Sequence, residues 1–375
     1  MSLPSDLVIK IDDAKINHIK SISPSGYISA LKCPLSFILR KSKLWQYNAQ
    51  SASAVVGTVI HELIEWSGRN HSHEVTLEQA NEKFDELIIE AEKKLNEHPL
   101  NCRLVPLSVS DPRFPEKKHS AIKAAVRGPK YSKFDSSKDL SVTTRYMYEE
   151  GFSSKNGLIY GEIDKIVDGP TGLAIYDKKT CQVIDEYGGI KPEYRMQLLL
   201  YAGIVFEDIG KMADRLILVD RDNNEVSIHF LPNEVLDVLL DASSWLVSIN
   251  RKIATSESIS KLITLARPSA DACRYCSARS ACSAYWGARQ TLNDDWPIDV
   301  ELVINSITQL GNGGKLIQTD ATYRGMSVKV SPQDIEYQPA MLKIEKGKKI
   351  RLLNARKIGN QYSLTKSSVI YILSE

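Results

Sequence analysis

Apolar residues recur at helical spacing over much of the first two thirds of the chain. One predicted helix, residues 51–68, opens on serines and ends at Gly68, and a long amphipathic helix follows over residues 76–97. Between residues 99 and 140 the chain is rich in Pro, Ser and Lys, and only HSAIKAAVRG indicates a short helix. The other predicted helices lie at 27–42, interrupted by Pro34, and at 193–206, 232–253 and 256–266.

Strand-like segments lie between these helices and again at the end of the chain. SVTTRYMYEE, GLIYGEIDKIVD and GLAIYDKKTCQVI are extended, and the turn DGPTG joins the last two into a hairpin. From about residue 296 the strand pattern continues through VINSITQL, KLIQT, GMSVKVS, KKIRLLNARKI and QYSLTKSSVIYIL. We therefore expect an α/β domain over residues 1–292, with a mixed sheet flanked by helices, and a small all-β domain over residues 293–375.

Composition is that of an ordinary soluble protein. The 375 residues are 43% hydrophobic and 25% charged, which leaves room for about two domains of roughly 150 residues each. Because the formal net charge is only +2, any nucleic-acid surface must be a local patch. No apolar run approaches the roughly 18 residues of a membrane span, and no secretory signal is evident, so we expect a cytoplasmic protein with no membrane partner.

The predicted hairpin GEIDKIVDGPTGLAIYDKKT carries the most informative charges. Its turn brings Asp164 and Asp177 side by side, and Lys179 lies on the same face as Asp177 because strand side chains alternate. Paired carboxylates suit Mg²⁺ or Mn²⁺, and such an ion with a lysine beside it fits phosphodiester hydrolysis. For a D-x-K pattern alone, a solvated strand edge is the commoner meaning.

Two helical pairs flank the hairpin in sequence. His61 and Glu65 are four residues apart and share a helix face, and an imidazole there can complete the ligand shell of a transition ion. Gln197 and Tyr201 share a face of a later helix and can offer an amide and a phenol to a phosphate or a base. Taken singly, each pair is more often structural: a satisfied helical histidine, or a core helix with a tyrosine at its edge.

Three of the six cysteines lie in CRYCSARSAC, a C-x2-C-x5-C array one short of the four thiolates of a usual metal site. So few cysteines in so long a chain fit metal or cluster ligation in a reducing compartment better than a disulfide framework. Cys102 and Cys181 stand apart, and we interpret them as ordinary thiols. Four thiolates serve zinc and an iron–sulfur cluster equally well, and on the residues alone zinc ranks first.

Together and in this order, the motifs resemble the PD-(D/E)XK nuclease superfamily, which implies a restriction-endonuclease-like core. The similarity is to its RecB-like branch, which includes the nuclease modules of RecB and AddB, exonuclease V and the CRISPR-associated adaptation nucleases, and it spans roughly residues 25–290. The matching motifs are Gly57-x3-His61-x3-Glu65, Gly161-x2-Asp164, Asp177-x-Lys179-Thr180 and Gln197-x3-Tyr201. One departure is Lys178, which replaces the aromatic residue of the usual D-Y-K-T and is expected to face away from Asp177.

The resemblance implies a role for each matching residue. The family's metal ligands correspond to His61, Asp164 and Asp177, and its catalytic lysine to Lys179. A motif of DNA-proximal residues corresponds to Gln197 and Tyr201, and Glu65 matches a further motif position of the active site.

Several members of this branch carry a structural 4Fe–4S cluster. One cysteine of the cluster precedes the nuclease core in a context like C-P-x-x-F, and three follow the core. Cys33 lies in CPLSF, so the resemblance implies a split ligand set, with Zn²⁺ as the alternative occupant. The implied ligands are Cys33, Cys273, Cys276 and Cys282.

The strand-rich segment 296–375 carries eleven Lys and Arg against seven Asp and Glu. Its strands, with a helix or loop around QDIEYQPAMLK, resemble an OB-fold of the replication-protein-A type, which implies a groove for single-stranded nucleic acid. Candidate stacking residues are Tyr323, Tyr337 and Tyr362. The alternative is a small barrel used for packing or protein contact.

These features predict a metal-dependent deoxyribonuclease, an exonuclease on single-stranded DNA with a role in DNA repair. The alternative is a catalytically weak or inactive DNA-binding subunit of a repair or CRISPR-type complex, and RNA stays open as a substrate. Because no G-x4-G-K-[ST] phosphate loop occurs, we expect a stand-alone nuclease and not a helicase fusion. A helicase, or a repair or CRISPR protein, is a candidate partner.

Overall fold

The protein, here a computed structural model, has two β-sheets, each built from strands that are consecutive in the chain. The structure describes residues 16–41, 50–69, 75–97, 101–127, 144–179, 182–220, 222–256, 258–274, 276, 278–289, 298–320, 326–337 and 344–373. Helices α1 to α11 run over Pro24–Lys32, Pro34–Lys41, Ala52–Arg69, Leu77–Asn96, Leu107–Ser110, Phe114–Arg127, Pro192–Ile209, Pro232–Ala254, Ala270–Arg274, Ser283–Ala288 and Pro332–Tyr337. Strands β1 to β11 run over Arg145–Ser153, Tyr160–Gly169, Gly172–Lys178, Arg215–Val219, Glu225–Ile228, Ile298–Gln309, Lys315–Thr319, Ser327–Val330, Lys349–Ile358, Gln361–Ser363 and Val369–Ile372.

The first sheet has the strand order β1-β2-β3-β4-β5. Its neighbouring strands are antiparallel except β3 and β4, which run parallel and are connected through α7. Parallel strands need such a crossover because a tight turn cannot join them. Helix α7 is buried at every residue from Gln197 to Val205 and lies in the main hydrophobic core. The predicted mixed α/β architecture of this part of the chain is therefore confirmed.

Helices α3, α4 and α6 pack on one another as a second hydrophobic cluster. Helix α4 begins at a capping box in which Thr76 and Gln79 exchange side-chain-to-backbone hydrogen bonds. Helix α6 begins earlier than the predicted HSAIKAAVRG segment. The prediction leaves out its first turn because FPEKK has a polar composition that favours a loop. No helix in the described part of the chain is both long enough and apolar enough to cross a membrane.

Three differences from the predicted elements have local causes. Strands β4 and β5 are not predicted. The sequence of β4, RLILV, is a short apolar run without the alternation of a half-buried strand. Residues 259–265 form a 3-10 helix and not an α-helix, and Ile259 and Leu262 are buried at its three-residue spacing. The last predicted strand divides into β10 and β11, where Ser368 Oγ donates to the Asn354 carbonyl and accepts from the Thr365 backbone N–H.

The second sheet closes on itself. Its order is β10-β8-β7-β6-β9-β11, and β10 also pairs with β9, so that β6, β7, β8, β10 and β9 form a hydrogen-bonded ring. Strands β8 and β10 are parallel, and α11 lies between β8 and β9 in the chain. Tyr362 on β10 is buried, so the prediction that it is an exposed stacking residue is wrong. Tyr337 ends α11, and Tyr323 lies outside the described residues.

A buried ion pair attaches the second sheet to the cysteine-rich segment that precedes it. Arg279 Nε donates to Asp299 Oδ2 at 2.7 Å, and the two side chains are 10% and 0% exposed. Tyr285 donates to the same oxygen at 2.9 Å, and the Asn354 backbone N–H donates to the other oxygen at 2.8 Å. The predicted domain boundary at 292/293 lies outside the described residues, so the division into two domains stays a prediction.

The substitution Arg279→Ala tests this attachment. We expect it to lower the free energy of unfolding by about 3–5 kcal/mol, because it leaves the buried Asp299 carboxylate without its cation. The matched control is Lys32→Ala, which removes an ion pair to Asp271 whose partners are 47% and 78% exposed and should cost no more than about 1 kcal/mol. Urea unfolding followed by tryptophan fluorescence measures both variants. Equal losses would show that Arg279 does not anchor the sheet.

Candidate active site

Asp164 and Asp177 lie opposite each other on adjacent antiparallel strands. The register pairs Lys165 with Tyr176, so Asp164 and Asp177 occupy the next opposed positions. Asp177 is 2% exposed, and this burial, against the opposing effect of the Lys179 ammonium, raises its pKa to about 6. Burial also raises the pKa of Asp164. Two carboxylates in this position need a nearby cation before both can be charged.

Lys179 supplies a positive charge beside this pair. Its Nζ lies 2.7 Å from Asp177 Oδ2, donates to Gln197 Oε1 at 2.8 Å, and lies 5.1 Å from the ring centroid of Tyr194. Its backbone N–H donates to the Val219 carbonyl at 2.8 Å, which continues the β3–β4 pairing beyond the end of β3. The lysine is therefore held at its backbone and at its ammonium. Thr180, the next residue of the motif, lies outside the described residues.

Gln197 and Tyr201 lie beneath the charged groups on α7. Both side chains are buried. Gln197 Nε2 donates to Tyr201 Oη at 3.1 Å and lies at a longer hydrogen-bond distance, 3.4 Å, from Asp177 Oδ1. Gln197 thus contacts the charged groups from the core side and Tyr201 contacts Gln197, whereas the sequence predicts that they offer an amide and a phenol to a phosphate or a base.

The approach of α7 to the sheet depends on Gly161. A Cβ added there would lie 2.8 Å from Cε1 of Tyr201 and 3.1 Å from Cδ of Pro24, closer than packed atoms allow. Glycine is therefore required at this point of β2 if the Tyr201 ring is to lie against the strand.

The carboxylate oxygens at this site suit a hard cation. Asp177 Oδ2 is buried and lies 2.7 Å from the Lys179 ammonium, in an ion pair outside strict hydrogen-bond geometry. Asp164 adds oxygen ligands from the neighbouring strand, and carboxylate oxygens are what Mg²⁺ and Mn²⁺ prefer. Among the described residues, no group of three or more His, Cys, Asp and Glu side chains is already arranged to hold a metal ion.

His61 and Glu65 face Asp164 across a cleft of about 160 Å³. Helix α3 presents them there because its opposite side, including Val59 and Leu63, is buried against α4 and α6. Desolvation by the surrounding protein, and next the Lys179 ammonium, lower the pKa of His61, which favours the neutral imidazole that can bind a metal. The structure thus brings the predicted active-site residues to one region around β2 and β3.

Four cysteines from the two ends of the α/β part line one small cavity of about 10 Å³: Cys33, Cys273, Cys276 and Cys282. Cys33 lies between α1 and α2 and accepts a hydrogen bond at its Sγ from the Arg267 backbone N–H at 3.5 Å. Burial, with smaller contributions from the neighbouring cysteines, raises the pKa of Cys273 to about 11. A bound cation would reverse this shift by favouring the thiolates. Four thiolates are the ligand type of zinc and of iron–sulfur sites, although in the described part of the chain these side chains are not already arranged around a metal ion.

Cys102 and Cys181 do not join this group. Cys102 starts a 3-10 turn away from the cavity, and Cys181 lies outside the described residues.

Tyr194 contacts Lys179 at the candidate active site, and the sequence motifs do not indicate this residue. It lies one helical turn before Gln197 on α7 and places its ring against the Lys179 ammonium. The three-residue spacing to Gln197 is the signal that could have identified it, because residues i and i+3 share a helix face.

Comparison with known families gives one match that covers most of the chain. The sequence profile of the PD-(D/E)XK nuclease superfamily matches residues 21–283. No curated protein matches the chain. A solved structure of a murine DNA-binding protein bound with ds DNA is similar over 62% of this chain and 97% of that chain, at 12% sequence identity and a TM-score of 0.17.

Replacing two glycines of the motifs by alanine should change the free energy of unfolding in opposite directions. Gly161→Ala should lower the free energy of unfolding by about 1–3 kcal/mol, because the new methyl group displaces the Tyr201 ring. Gly57→Ala should raise it by roughly 0.5–1 kcal/mol, because Gly57 is inside α3 and no atom lies within 4 Å of the added Cβ. Chemical denaturation measures both. A stabilised Gly161→Ala protein would mean that α7 does not pack as described.

Proposed function

The chain belongs to the PD-(D/E)XK nuclease superfamily, and on that premise we propose that it is a divalent-metal-dependent deoxyribonuclease of the RecB-like branch, acting as an exonuclease on single-stranded DNA. One observation carries the proposal: two carboxylates lie on opposed strands beside a lysine ammonium, and the buried one, Asp177, is ion-paired with that ammonium at 2.7 Å. A degenerate scaffold has no need to keep this costly arrangement of buried charge.

In the proposed reaction His61, Asp164 and Asp177 hold Mg²⁺ or Mn²⁺. When bound, the ion supplies Lewis acidity at the scissile phosphate and lowers the pKa of water. Lys179 donates from its ammonium to an oxygen of the reacting phosphate, and that ammonium is oriented by Gln197 Oε1 and the Tyr194 ring.

Gln197 and Tyr201 act in this proposal as positioning residues and not as DNA contacts, since both are buried behind the charged groups. Their hydrogen bond fixes the amide of Gln197, which in turn fixes Lys179. Glu65 lines the cleft one helical turn beyond His61, where it can accept from a nucleotide or from water.

The four clustered cysteines hold a structural 4Fe–4S cluster in this proposal, with Zn²⁺ as the alternative occupant. The ligands are far apart in sequence, so the closure restricts a long stretch of unfolded chain. The packing around the cavity supports a structural role: the Arg267 N–H donates to Cys33 Sγ, and Cys276 Sγ lies 3.3 Å from Ser36 Oγ.

The second sheet is proposed to be an OB-fold domain, residues 293–375, that binds single-stranded DNA. The ring of five strands, the parallel β8–β10 pair and the helix between β8 and β9 support this topology. Its excess of basic residues, eleven against seven acidic over 296–375, supports contact with a phosphate backbone.

The proposal predicts metal-dependent cleavage that Lys179→Ala abolishes. End-labelled single-stranded DNA is incubated with anaerobically purified protein and Mg²⁺ or Mn²⁺, beside a matched RNA strand. We expect at least about a 100-fold loss of rate in Lys179→Ala with DNA binding retained, because the ammonium stabilises charge at the phosphate. The exposed Lys155→Ala is the matched control and should cleave normally.

Each other outcome of this assay has a distinct meaning. Equal degradation by Lys179→Ala and the unaltered protein would indicate a contaminating nuclease. No degradation by either would favour the DNA-binding subunit of a repair or CRISPR-type complex.

A second prediction concerns the metal content of the cysteine site. Cys33→Ser should lose bound metal and destabilise the protein, because the site then keeps only three of its four thiolates. Cys102→Ser is the matched control, since Cys102 does not line the cavity, and should keep the full metal content. Iron, zinc and acid-labile sulfide are measured on both proteins. Iron and sulfide support the cluster, zinc alone supports the alternative, and unchanged content in Cys33→Ser contradicts both.

A further inference from the structure

Two clefts meet at the candidate active site. The acidic cleft, of about 160 Å³, lies between α3 and the strands of the first sheet, and the basic cleft, of about 410 Å³, lies between α3 and α6. His61 and Lys178 line both clefts, so the two adjoin at these residues. A nucleotide whose phosphate lies near Asp164 can therefore extend in two directions.

The two clefts differ in charge. Four cationic side chains line the basic cleft against two carboxylates: Arg113, Lys117, Lys178 and Lys179 against Glu116 and Asp222. Five carboxylates line the acidic cleft against two lysines: Glu65, Glu149, Asp164, Asp222 and Glu225 against Lys165 and Lys178. Lys117 and Lys179 are already ion-paired with Asp111 and Asp177, so Arg113 and Lys178 supply the positive charge with which the basic cleft suits phosphates. The acidic cleft disfavours phosphates and suits a neutral group with N–H donors.

Tyrosines form part of the wall of the acidic cleft. The strand registers pair Tyr148 with Lys165 and Lys165 with Tyr176, so these three side chains lie in a row on one face of the sheet. Lys165 Nζ lies 4.4 Å from the ring centroid of Tyr176, which fixes that ring. The volume of about 160 Å³ corresponds to roughly ten water-sized spheres, far more than one ordered water needs.

Lys178 connects the acidic cleft to the active site. Its backbone N–H donates to Asp164 Oδ2 at 2.6 Å, and its Nζ donates to Asn223 Oδ1 at 2.7 Å. Asn223 has a φ of +65° in the tight β4–β5 turn, where its backbone N–H donates to the Asp220 carbonyl. An ammonium and an amide thus line the cleft, and the ammonium belongs to the residue whose backbone N–H binds Asp164. This is the position at which the chain departs from the aromatic residue of D-Y-K-T.

We propose that the acidic cleft binds the base of one unpaired nucleotide next to the scissile phosphate, while the adjoining backbone follows the basic cleft. This rests on the proposed nuclease function and assigns its single-strand preference to a site. A base enclosed between α3 and the sheet cannot remain paired, because its hydrogen-bonding edge faces protein. The carboxylates of the cleft other than the proposed metal ligand Asp164 favour bases that carry an exocyclic amino group.

The test is an abasic scan of single-stranded DNA binding. Short oligonucleotides of one sequence, each with a single abasic site at a different position, are titrated with the full chain in EDTA, so that cleavage cannot contribute. We expect one or two positions at which loss of the base weakens binding about 5- to 100-fold, the range for a stacked base. At those positions the abasic effect should disappear in Tyr176→Ala and in Tyr148→Ala.

Tyr146→Ala is the matched control. Tyr146 lies two residues before Tyr148 on β1, is 43% exposed and does not line the cleft, so the abasic effect should persist. The proposal is overturned if no position is sensitive, if the effect survives in both cleft variants, or if no single-stranded DNA binds. Because the measurement needs no catalysis, a chain that binds with this pattern but never cleaves would refute the nuclease and leave the base site standing.

Discussion

Lys179 and Asp177 form an ion pair that is largely withdrawn from water, with side chains 16% and 3% exposed. The positions of the neighbouring elements depend on the contacts that this pair requires. Buried charges are tolerated only when further polar contacts replace the lost water. Gln197 and Tyr194 supply those contacts from α7, so α7 must lie close to the sheet. That approach in turn excludes a side chain at position 161. The glycine, the helix and the lysine therefore form one dependent set.

A second set of dependent contacts involves the cysteine-rich segment. Helices α9 and α10, of five and six residues, are too short to be stable alone. The turn between them contacts α2 through Cys276 and Ser36 and is anchored to the second sheet by the buried Arg279–Asp299 pair. Arg351 adds to this anchoring, since it donates to the Ser280 carbonyl and lies over the Trp286 ring. This segment joins the mixed sheet to the closed sheet.

The sequence predicts best the features that repeat along the chain. Helices α3, α4, α7 and α8 follow from apolar spacing and clear ends, and the hairpin follows from the DGPTG turn. Strand β4 escapes prediction because its Leu216, Ile217 and Leu218 are buried on both faces of the sheet, which removes the alternation. Among the site residues, Asp164, Asp177 and Lys179 are predictable from local pattern. The direction of the Gln197 side chain toward the core is not predictable in this way. Helix spacing identifies which residues share a face but not which element covers that face.

The hydrogen bond from the Arg267 backbone to Cys33 Sγ joins residues 234 positions apart, which affects the order of folding. At synthesis rates of about 5–20 residues per second, Arg267 is made on the order of 10–50 s after Cys33. During that interval α1 and α2 lack the segment that covers the Cys33 sulfur, while the strands of the first sheet can already pair with one another. Completion of the fold around Cys33 therefore follows synthesis of Arg267, and the nascent chain carries an uncovered thiol until then.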